Sequence, residues 1–175
     1  FEGTAPRNPA VKMSGDPMCM RAHPNGMVFE NYVVKDGGLD NVFVYVKDGL
    51  GKYYFDVPAQ PVKLDQQGCR YVPQVLGVRV GQPIEITNSD ETTHNVHSLP
   101  DVNREFNLAQ FRKDQKNVET FTAPEVMVRV KCDLPHVETG AKFADMIFHR
   151  FRFDDRPVNG GNQSRLFPCE IRHAI

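Results

Sequence analysis

One cysteine and two histidines have the residue types and the spacing to bind a transition metal. His94 lies in the segment Thr93-His94-Asn95-Val96, while Cys132 and His136 lie at and after the end of a β-branched run. A thiolate is a soft ligand that stabilises Cu(I), and imidazole nitrogens also accept Cu(II). One thiolate with two imidazoles is the equatorial ligand set of a type 1 (blue) copper site. The residues therefore predict one copper ion that cycles between Cu(I) and Cu(II).

The run before Cys132 predicts how its side chain is placed. Every second residue of a strand shares one face, which here collects Val126, Val128, Val130 and Cys132. That face is apolar, so we expect it to line the core, with the thiol pointing inward where the following loop brings His136 alongside. A lone buried cysteine is more often a small hydrophobic residue. Its place between two histidines favours a ligand instead.

The composition is that of an ordinary globular protein. The chain has 175 residues, of which 40% are hydrophobic and 25% charged, and its net charge is -1. This charge gives no reason to expect a nucleic-acid partner, and the apolar runs are too short to insert in a bilayer. We expect one domain over residues 1–153 and a C-terminal tail over 154–175. Since Phe1 opens the chain, we expect a mature product without its leader.

Short β-forming segments between glycines and prolines predict an all-β sandwich. The expected strands are residues 28–34, 41–47, 62–65, 75–80, 84–88, 118–122 and 126–132, with a closing strand inside 143–153. Residues 103–110 could hold a short turn of helix. Residues 1–27 are expected to be irregular, because prolines and glycines interrupt them, and the tail is expected to be extended and without pattern.

Several segments resemble, in order, the plastocyanin-like (cupredoxin) pattern, in particular that of secreted bacterial proteins of the methylamine-utilisation type. The resembling stretches are residues 16–19, 41–46, 64–69, 78–90, 93–96, 103–107 and 124–128. The resemblance covers residues 12–133. It implies an eight-stranded Greek-key sandwich with copper at one end. It also implies that His94 is the first ligand and that the backbone of Asn95 hydrogen-bonds the thiolate.

The four cysteines divide unequally if one of them binds metal. With Cys132 as a ligand, one pair and one free thiol is the simplest arrangement, although four reduced cysteines in a cytosolic protein are the alternative. The resemblance implies that Cys19 and Cys69 form the pair, which leaves Cys169. A disulfide predicts a periplasmic or secreted protein.

The axial position is where the chain departs from the family. The expected pattern is Cys-x-x-His-x-x-Met, but here His136 follows Cys132 by four residues and the next methionine is Met146. Met146 begins the plausible closing strand, so we predict that it is the weak axial ligand. Glu138 and the absence of any axial ligand stay open as alternatives.

Other kinds of site have less support. His97 would face the opposite side of a strand from His94, so we expect it to be exposed or an outer hydrogen-bonding partner. A zinc site would need four nitrogen or sulfur ligands, and three are credible. The sequence has no nucleophile elbow, phosphate loop, His-Glu-x-x-His or dinucleotide fingerprint, so we do not expect an enzyme.

The sequence thus predicts a one-electron carrier between a donor and an acceptor protein. The alternative is a β-sandwich that stores or delivers copper, or that has lost it, because the spacing from Cys132 to His136 is altered.

Overall fold

The computed structural model describes residues 2–13, 15–46, 56–134, 145–149 and 169–173. For residues 45–46 and for the last two of these ranges, the description covers the backbone and its pairing. Regular structure in these residues is almost entirely β, as predicted. None of the helices in this part of the chain has the length and apolar character needed to cross a membrane.

The described residues form one short helix and fifteen strands. In chain order they are β1 Ala10–Val11, α1 Pro17–Ala22, β2 Met27–Val28, β3 Val34–Lys35, β4 Gly38–Leu39, β5 Val42–Val46, β6 Val62–Gln66, β7 Tyr71–Val72, β8 Val75–Arg79, β9 Pro83–Asn88, β10 His94–Leu99, β11 Asn107–Gln110, β12 Lys116–Thr120, β13 Arg129–Lys131, β14 Asp145–His149 and β15 Cys169–His173.

Two sheets form the body of the molecule. The first has the strand order β12-β9-β6-β7, in which β6 and β9 are parallel and the other neighbours antiparallel. The second has the order β11-β10-β13 and is antiparallel throughout. Four two-stranded pairs, β1–β2, β3–β4, β5–β15 and β8–β14, complete the described strands.

The core lies between the two sheets. Ile84 and Ile86 of β9, with Leu64 of β6, are fully buried and belong to one cluster with Val96 and Val130 of the second sheet. The alternation predicted for residues 84–88 is therefore confirmed. Burying each such side chain stabilises the fold by roughly 1.5–3 kcal/mol. The all-β sandwich is the result of this period-two burial on both sheets.

The run before Cys132 is a shorter strand than the sequence predicts. Its strand, β13, has three residues, and Val126 is 44% exposed instead of facing the core. Met127 has a φ of 66°, in the left-handed region that extended strands do not use, so the strand cannot continue back through it. Val128 and Val130 are buried, as the alternation predicts.

The helical turn expected within residues 103–110 is absent, and that expectation was wrong. Residues 107–110 form β11, which pairs with β10 in the register His94↔Gln110 to His97↔Asn107. The pairing supplies the backbone hydrogen bonds that a turn of helix would otherwise have to make, so tertiary context overrides local preference.

The segment 28–34 is strand only near its two ends, in β2 and β3. In its middle, the side chain of Asn8 donates to the carbonyl oxygen of Tyr32 at 2.8 Å and accepts the Tyr32 amide at 3.1 Å. A side chain thus satisfies the backbone groups that a neighbouring strand would have paired.

Both terminal regions contain more regular structure than the sequence predicts. Asp16 caps α1, and Pro17 occupies its first turn, a combination that favours a helix start. Residues 169–173 of the predicted tail form β15, antiparallel to β5. The closing strand predicted within 143–153 is present as β14, parallel to β8. The domain boundary at residue 153 stays a prediction.

Candidate metal centre

The turns at one end of the sandwich surround His94 and Cys132. This end contains the turn from β9 to β10, the turn from β11 to β12, and Cys132, which follows the end of β13. We call this the His94 end, made of residues 67–70, 89–93, 111–115 and 132–134. The opposite Glu125 end is made of residues 80–82, 100–106 and 121–128.

Asn88 shapes the loop that delivers His94. Its side chain is fully buried at the end of β9. Nδ2 donates to the carbonyl oxygen of Thr92 at 2.8 Å, and Oδ1 accepts the amide of Asp90 at 2.9 Å. A buried amide that satisfies both ends of a short loop fixes its path. The loop therefore returns the chain to β10 with Asp90 and His94 side by side.

Two groups hold the His94 ring from opposite sides. The ring is 2% exposed, its Nε2 lies 2.9 Å from Oδ2 of Asp90, and its Nδ1 lies 3.9 Å from Sγ of Cys132. Burial would raise the pKa of Asp90, but the hydrogen bonds from His94 and from the amides of Cys69 and Gly68 outweigh it and lower the pKa. The carboxylate is thus ionised and accepts the Nε2 proton, which presents Nδ1 to the thiol.

Cys132 is held by the backbone of the neighbouring strand. The amide of Asn95 donates to its sulfur at 3.5 Å, which confirms the bond that the family resemblance implied. Burial alone would raise the pKa of the Cys132 thiol, but the contact with His94 and the hydrogen bonds from the amides of Asn95 and Leu134 lower it. The thiolate is the form that binds metals, so this environment favours a ligand.

The side chain of Asn95 clamps the residue that follows Cys132. Its Oδ1 accepts the amide of Asp133 at 2.6 Å, and its Nδ2 donates to Oδ2 of Asp133 at 3.2 Å. Lys131 also contacts the Asp133 carboxylate at 2.7 Å, and His97 does so at 2.5 Å. Against the effect of burial, these donors lower the pKa of Asp133 to about 2. The chain leaving Cys132 is therefore fixed by a charged network.

His97 lies on the outer side of this network, as the sequence predicts. Its Nδ1 faces Asp133, and its Nε2 lies 2.6 Å from Oε1 of Glu105. The ring therefore bridges two carboxylates and supports Asp133, while His94, three residues earlier on β10, faces Cys132.

The donor set suits a copper ion. In a first-row metal site with bonds of about 2.0–2.1 Å to nitrogen and about 2.3 Å to sulfur, the two donors lie about 3.5–3.8 Å apart at tetrahedral to trigonal angles. The separation of 3.9 Å between Nδ1 of His94 and Sγ of Cys132 is close to this range. A soft thiolate beside an imidazole is the combination that accommodates both Cu(I) and Cu(II).

The other predicted ligands are covered only in part. His136 and Glu138 lie outside the described residues, and so does the side chain of Met146. The backbone of Met146 is the second residue of β14 and pairs with Leu76 near the start of β8. Because β8 ends at the turn that leads into β9 at the Glu125 end, its start is directed towards the His94 end. The axial role of Met146 stays a prediction.

The disulfide explains a second group of potential ligands. Sγ of Cys69, an oxygen of Asp90 and a ring nitrogen of His94 lie within 4.8 Å of one another. Cys19 and Cys69 are bonded, with 5.7 Å between their Cα atoms, which confirms the predicted pair. A disulfide sulfur is no thiolate, so this group is a structural link between the disulfide and His94.

Sequence reasoning missed Asp90, Asp133 and Tyr71. The buried Tyr71 hydroxyl donates to the carbonyl oxygen of Asn95 at 3.0 Å, and burial, with the charges of Cys132 and Asp133, raises its pKa well above the ordinary value. The sequence holds no local signal for these roles, because each depends on strands that are distant in the chain.

Comparison with known proteins relates the chain to cupredoxins of solved structure. A Cu(I) mutant of amicyanin matches with a TM-score of 0.41 and 23% identity, over 61% of this chain and 98% of its own. A purple cupredoxin from Nitrosopumilus maritimus matches with a TM-score of 0.40 and 17% identity, over 50% of this chain and 99% of its own.

A copper-containing nitrite reductase from Thermus scotoductus SA-01 matches with a TM-score of 0.42 and 19% identity, over 52% of this chain. The match spans 23% of the reductase, less than a quarter of its length. No family model and no curated protein matches the chain. All three TM-scores are below 0.5, so what this site binds has to be inferred from its own residues.

Proposed function

We propose that this chain binds one copper ion through His94, Cys132 and His136, with Met146 as the axial ligand, and that it carries single electrons between a donor and an acceptor protein. One observation supports this most strongly. The buried ring of His94 presents Nδ1 to the sulfur of Cys132 at 3.9 Å, while Asp90 holds its other nitrogen. A histidine and a cysteine that only filled space in the core would not need this orientation.

The supports of both ligands fit an electron carrier. Copper in such a site would supply a one-electron couple. Asp90 fixes the ring of His94, and the amide of Asn95 fixes the sulfur of Cys132. Hydrogen bonds of this kind orient ligands and tune the metal. Ligands that hydrogen bonds hold in place suit electron transfer, because the site then rearranges little when the copper gains or loses an electron.

We further propose that the protein works in the periplasm or after secretion and is not an enzyme. The Cys19–Cys69 disulfide supports an oxidising compartment. A one-electron carrier needs a donor and an acceptor, so redox proteins of that compartment are the expected partners.

The second candidate is a copper-storing or copper-delivering sandwich without electron-transfer activity. The four-residue step from Cys132 to His136 favours it, since the family pattern has a step of three. Storage would need affinity for Cu(I) but no reversible couple and no strong Cu(II)–thiolate bond.

The visible absorption spectrum of the copper-loaded protein separates these candidates. We expect one copper per chain, an intense thiolate-to-copper absorption in the oxidised form, and reversible bleaching by one electron per copper. Cu(I) binding with no colour after oxidation would support storage. Failure to bind copper at all would overturn both candidates and favour a sandwich that has lost its metal.

A further inference from the structure

The disulfide joins the N-terminal helix to the His94 end of the sandwich. Cys19 lies in α1 and Cys69 in the turn after β6, and both are buried. The same helix is attached a second time by Asp16. One oxygen of Asp16 accepts the amides of Met18 at 2.5 Å and Cys19 at 3.3 Å, and the other accepts the hydroxyl of Thr92 at 2.8 Å. The helix and its cap thus contact both the loop that contains Asp90, residues 89–93, and the turn that bonds to Asp90, residues 67–70.

The turn that carries Cys69 has a backbone that side chains rarely adopt. Gly68 and Cys69 have consecutive φ values of 60° and 57°. The left-handed conformation suits Gly68, but a residue with a side chain adopts it at a cost in free energy and needs support from its surroundings. The bond to Cys19 is one such support.

The left-handed turn directs two successive amides at one carboxylate. The amide of Gly68 donates to Oδ1 of Asp90, and that of Cys69 donates to Oδ2, both at 2.7 Å. Successive amides in such turns form anion-binding concavities. Oδ2 of Asp90 also lies 2.9 Å from Nε2 of His94. The turn of Gly68 and Cys69 therefore connects the disulfide, through Asp90, to the ring of His94.

We propose that the Cys19–Cys69 disulfide, acting through the left-handed turn and Asp90, sets the orientation of the His94 ring, so that breaking the bond alters the metal centre. Asp90 is a positioning residue in this account. The effect on copper rests on the function proposed above, whereas the effect on the ring does not.

The first test is made on the metal-free protein by NMR. The Nε2 proton of His94 is expected as a downfield resonance protected from exchange by Asp90. Cys19→Ser with Cys69→Ser, or Asp90→Asn alone, is expected to raise its exchange rate tenfold or more. Glu125→Gln, which changes a carboxylate that accepts backbone amides at the opposite end, is the matched control and should leave the resonance as in the wild type.

A glycine variant tests the proposed route. Glycine adopts left-handed φ values without strain. Cys19→Ser with Cys69→Gly should therefore retain more protection of the His94 proton than Cys19→Ser with Cys69→Ser, although both lack the disulfide. Equal loss in the two double variants would overturn the route through the turn.

The second test measures copper. Loss of such outer hydrogen-bonding partners typically weakens metal binding by about 10–100-fold, and we expect this weakening in Asp90→Asn and in the double serine variant but not in Glu125→Gln. A double serine variant that keeps the protected His94 proton and the wild-type copper affinity would overturn the proposal. If the wild-type protein binds no copper, the proposed function fails, and the NMR result alone decides this inference.

Discussion

The two ends of the sandwich use the same device for different purposes. At the His94 end, Asp90 accepts the amides of Gly68 and Cys69. At the Glu125 end, Glu125 accepts the amide of Asp101, and it accepts the amide and the side chain of Asn103 at 3.1 and 2.9 Å. In each case one carboxylate fixes a loop that a sheet alone would leave without partners.

The difference lies in the contact that each carboxylate makes beyond the backbone. Asp90 accepts from His94, whose other ring nitrogen faces the sulfur of Cys132. Glu125 accepts instead from the side chain of Asn103. The other end of that side chain accepts the backbone amides of Thr122 and Ala123. A loop anchored in this way therefore offers a potential metal site only where the carboxylate also orients a ring nitrogen towards a thiol.

The largest expected effect tests whether the His94 end carries the chemistry at all. Cys132→Ser should abolish the visible colour and the redox activity of the copper-loaded protein, because a hydroxyl replaces the thiolate that is both chromophore and electron path. Absorption spectra and cyclic voltammetry measure this. The fold should survive, since Cys132 lies past the end of β13 at a partly exposed position. A serine variant that keeps colour would remove the distinction between the two ends.

The His94 end should also contribute more to the free energy of unfolding than the Glu125 end. The Cys19–Cys69 bond closes a loop with a sequence separation of 50 residues. The chain-entropy model gives about 4 kcal/mol of stabilisation for that length. Denaturant unfolding of metal-free Cys19→Ser with Cys69→Ser should show this loss. A loss below about 1 kcal/mol would mean that the N-terminal helix is held mainly by its other contacts.

A smaller loss is expected at the opposite end. Glu125→Gln replaces one acceptor oxygen by a donor that faces Asn103, so hydrogen bonds to a charged group are lost. Such a change costs about 1–2 kcal/mol at a partly exposed site. Denaturant unfolding should show this loss while copper binding and colour stay unchanged. A change in the copper spectrum would show that the two ends are coupled.

The sequence could predict what depends on local pattern. Alternation predicted that Ile84 and Ile86 lie in the core, and the resemblance of the segments that carry Cys19 and Cys69 to a family pattern implied their disulfide. It could not predict the left-handed Met127 that shortens the strand before the thiol, because no sequence rule favours a positive φ there.

The outer supports of the site were beyond sequence reasoning for a different reason. Asp90 lies four residues before His94, but its role depends on two amides from a turn some twenty residues earlier. The start of α1 is an exception, because Asp16-Pro17 is a recognisable helix-start signal. The backbone contacts of Asp90, unlike that signal, exist only after β6 and β9 have paired in the first sheet.

The axial ligand offers a finer test of the His94 end. Met146→Leu should keep copper and colour but shift the reduction potential, because a weak thioether favours Cu(I) and its loss affects the potential more than the affinity. Glu138→Gln should change little. Voltammetry of both variants measures this. A shift in Glu138→Gln with none in Met146→Leu would reassign the axial position, although the plane of His94, Cys132 and His136 could stand.

The smallest expected effect is a pH dependence that belongs to the Glu125 end. Burial would raise the pKa of Glu125, but hydrogen bonds from Asn103 and from the amides of Asp101 and Val102 outweigh it and lower the pKa. A carboxyl group with a lowered folded-state pKa stabilises the fold above its unfolded-state value of about 4.3, and this contribution disappears as the pH falls through the folded-state pKa. The difference in unfolding free energy between wild type and Glu125→Gln, measured without metal, should therefore stay constant from pH 7 to about pH 5 and shrink below about pH 4. A difference that grows as the pH falls would mean that folding raises the pKa of Glu125, and that this end is not anchored by an ionised carboxylate as the His94 end is.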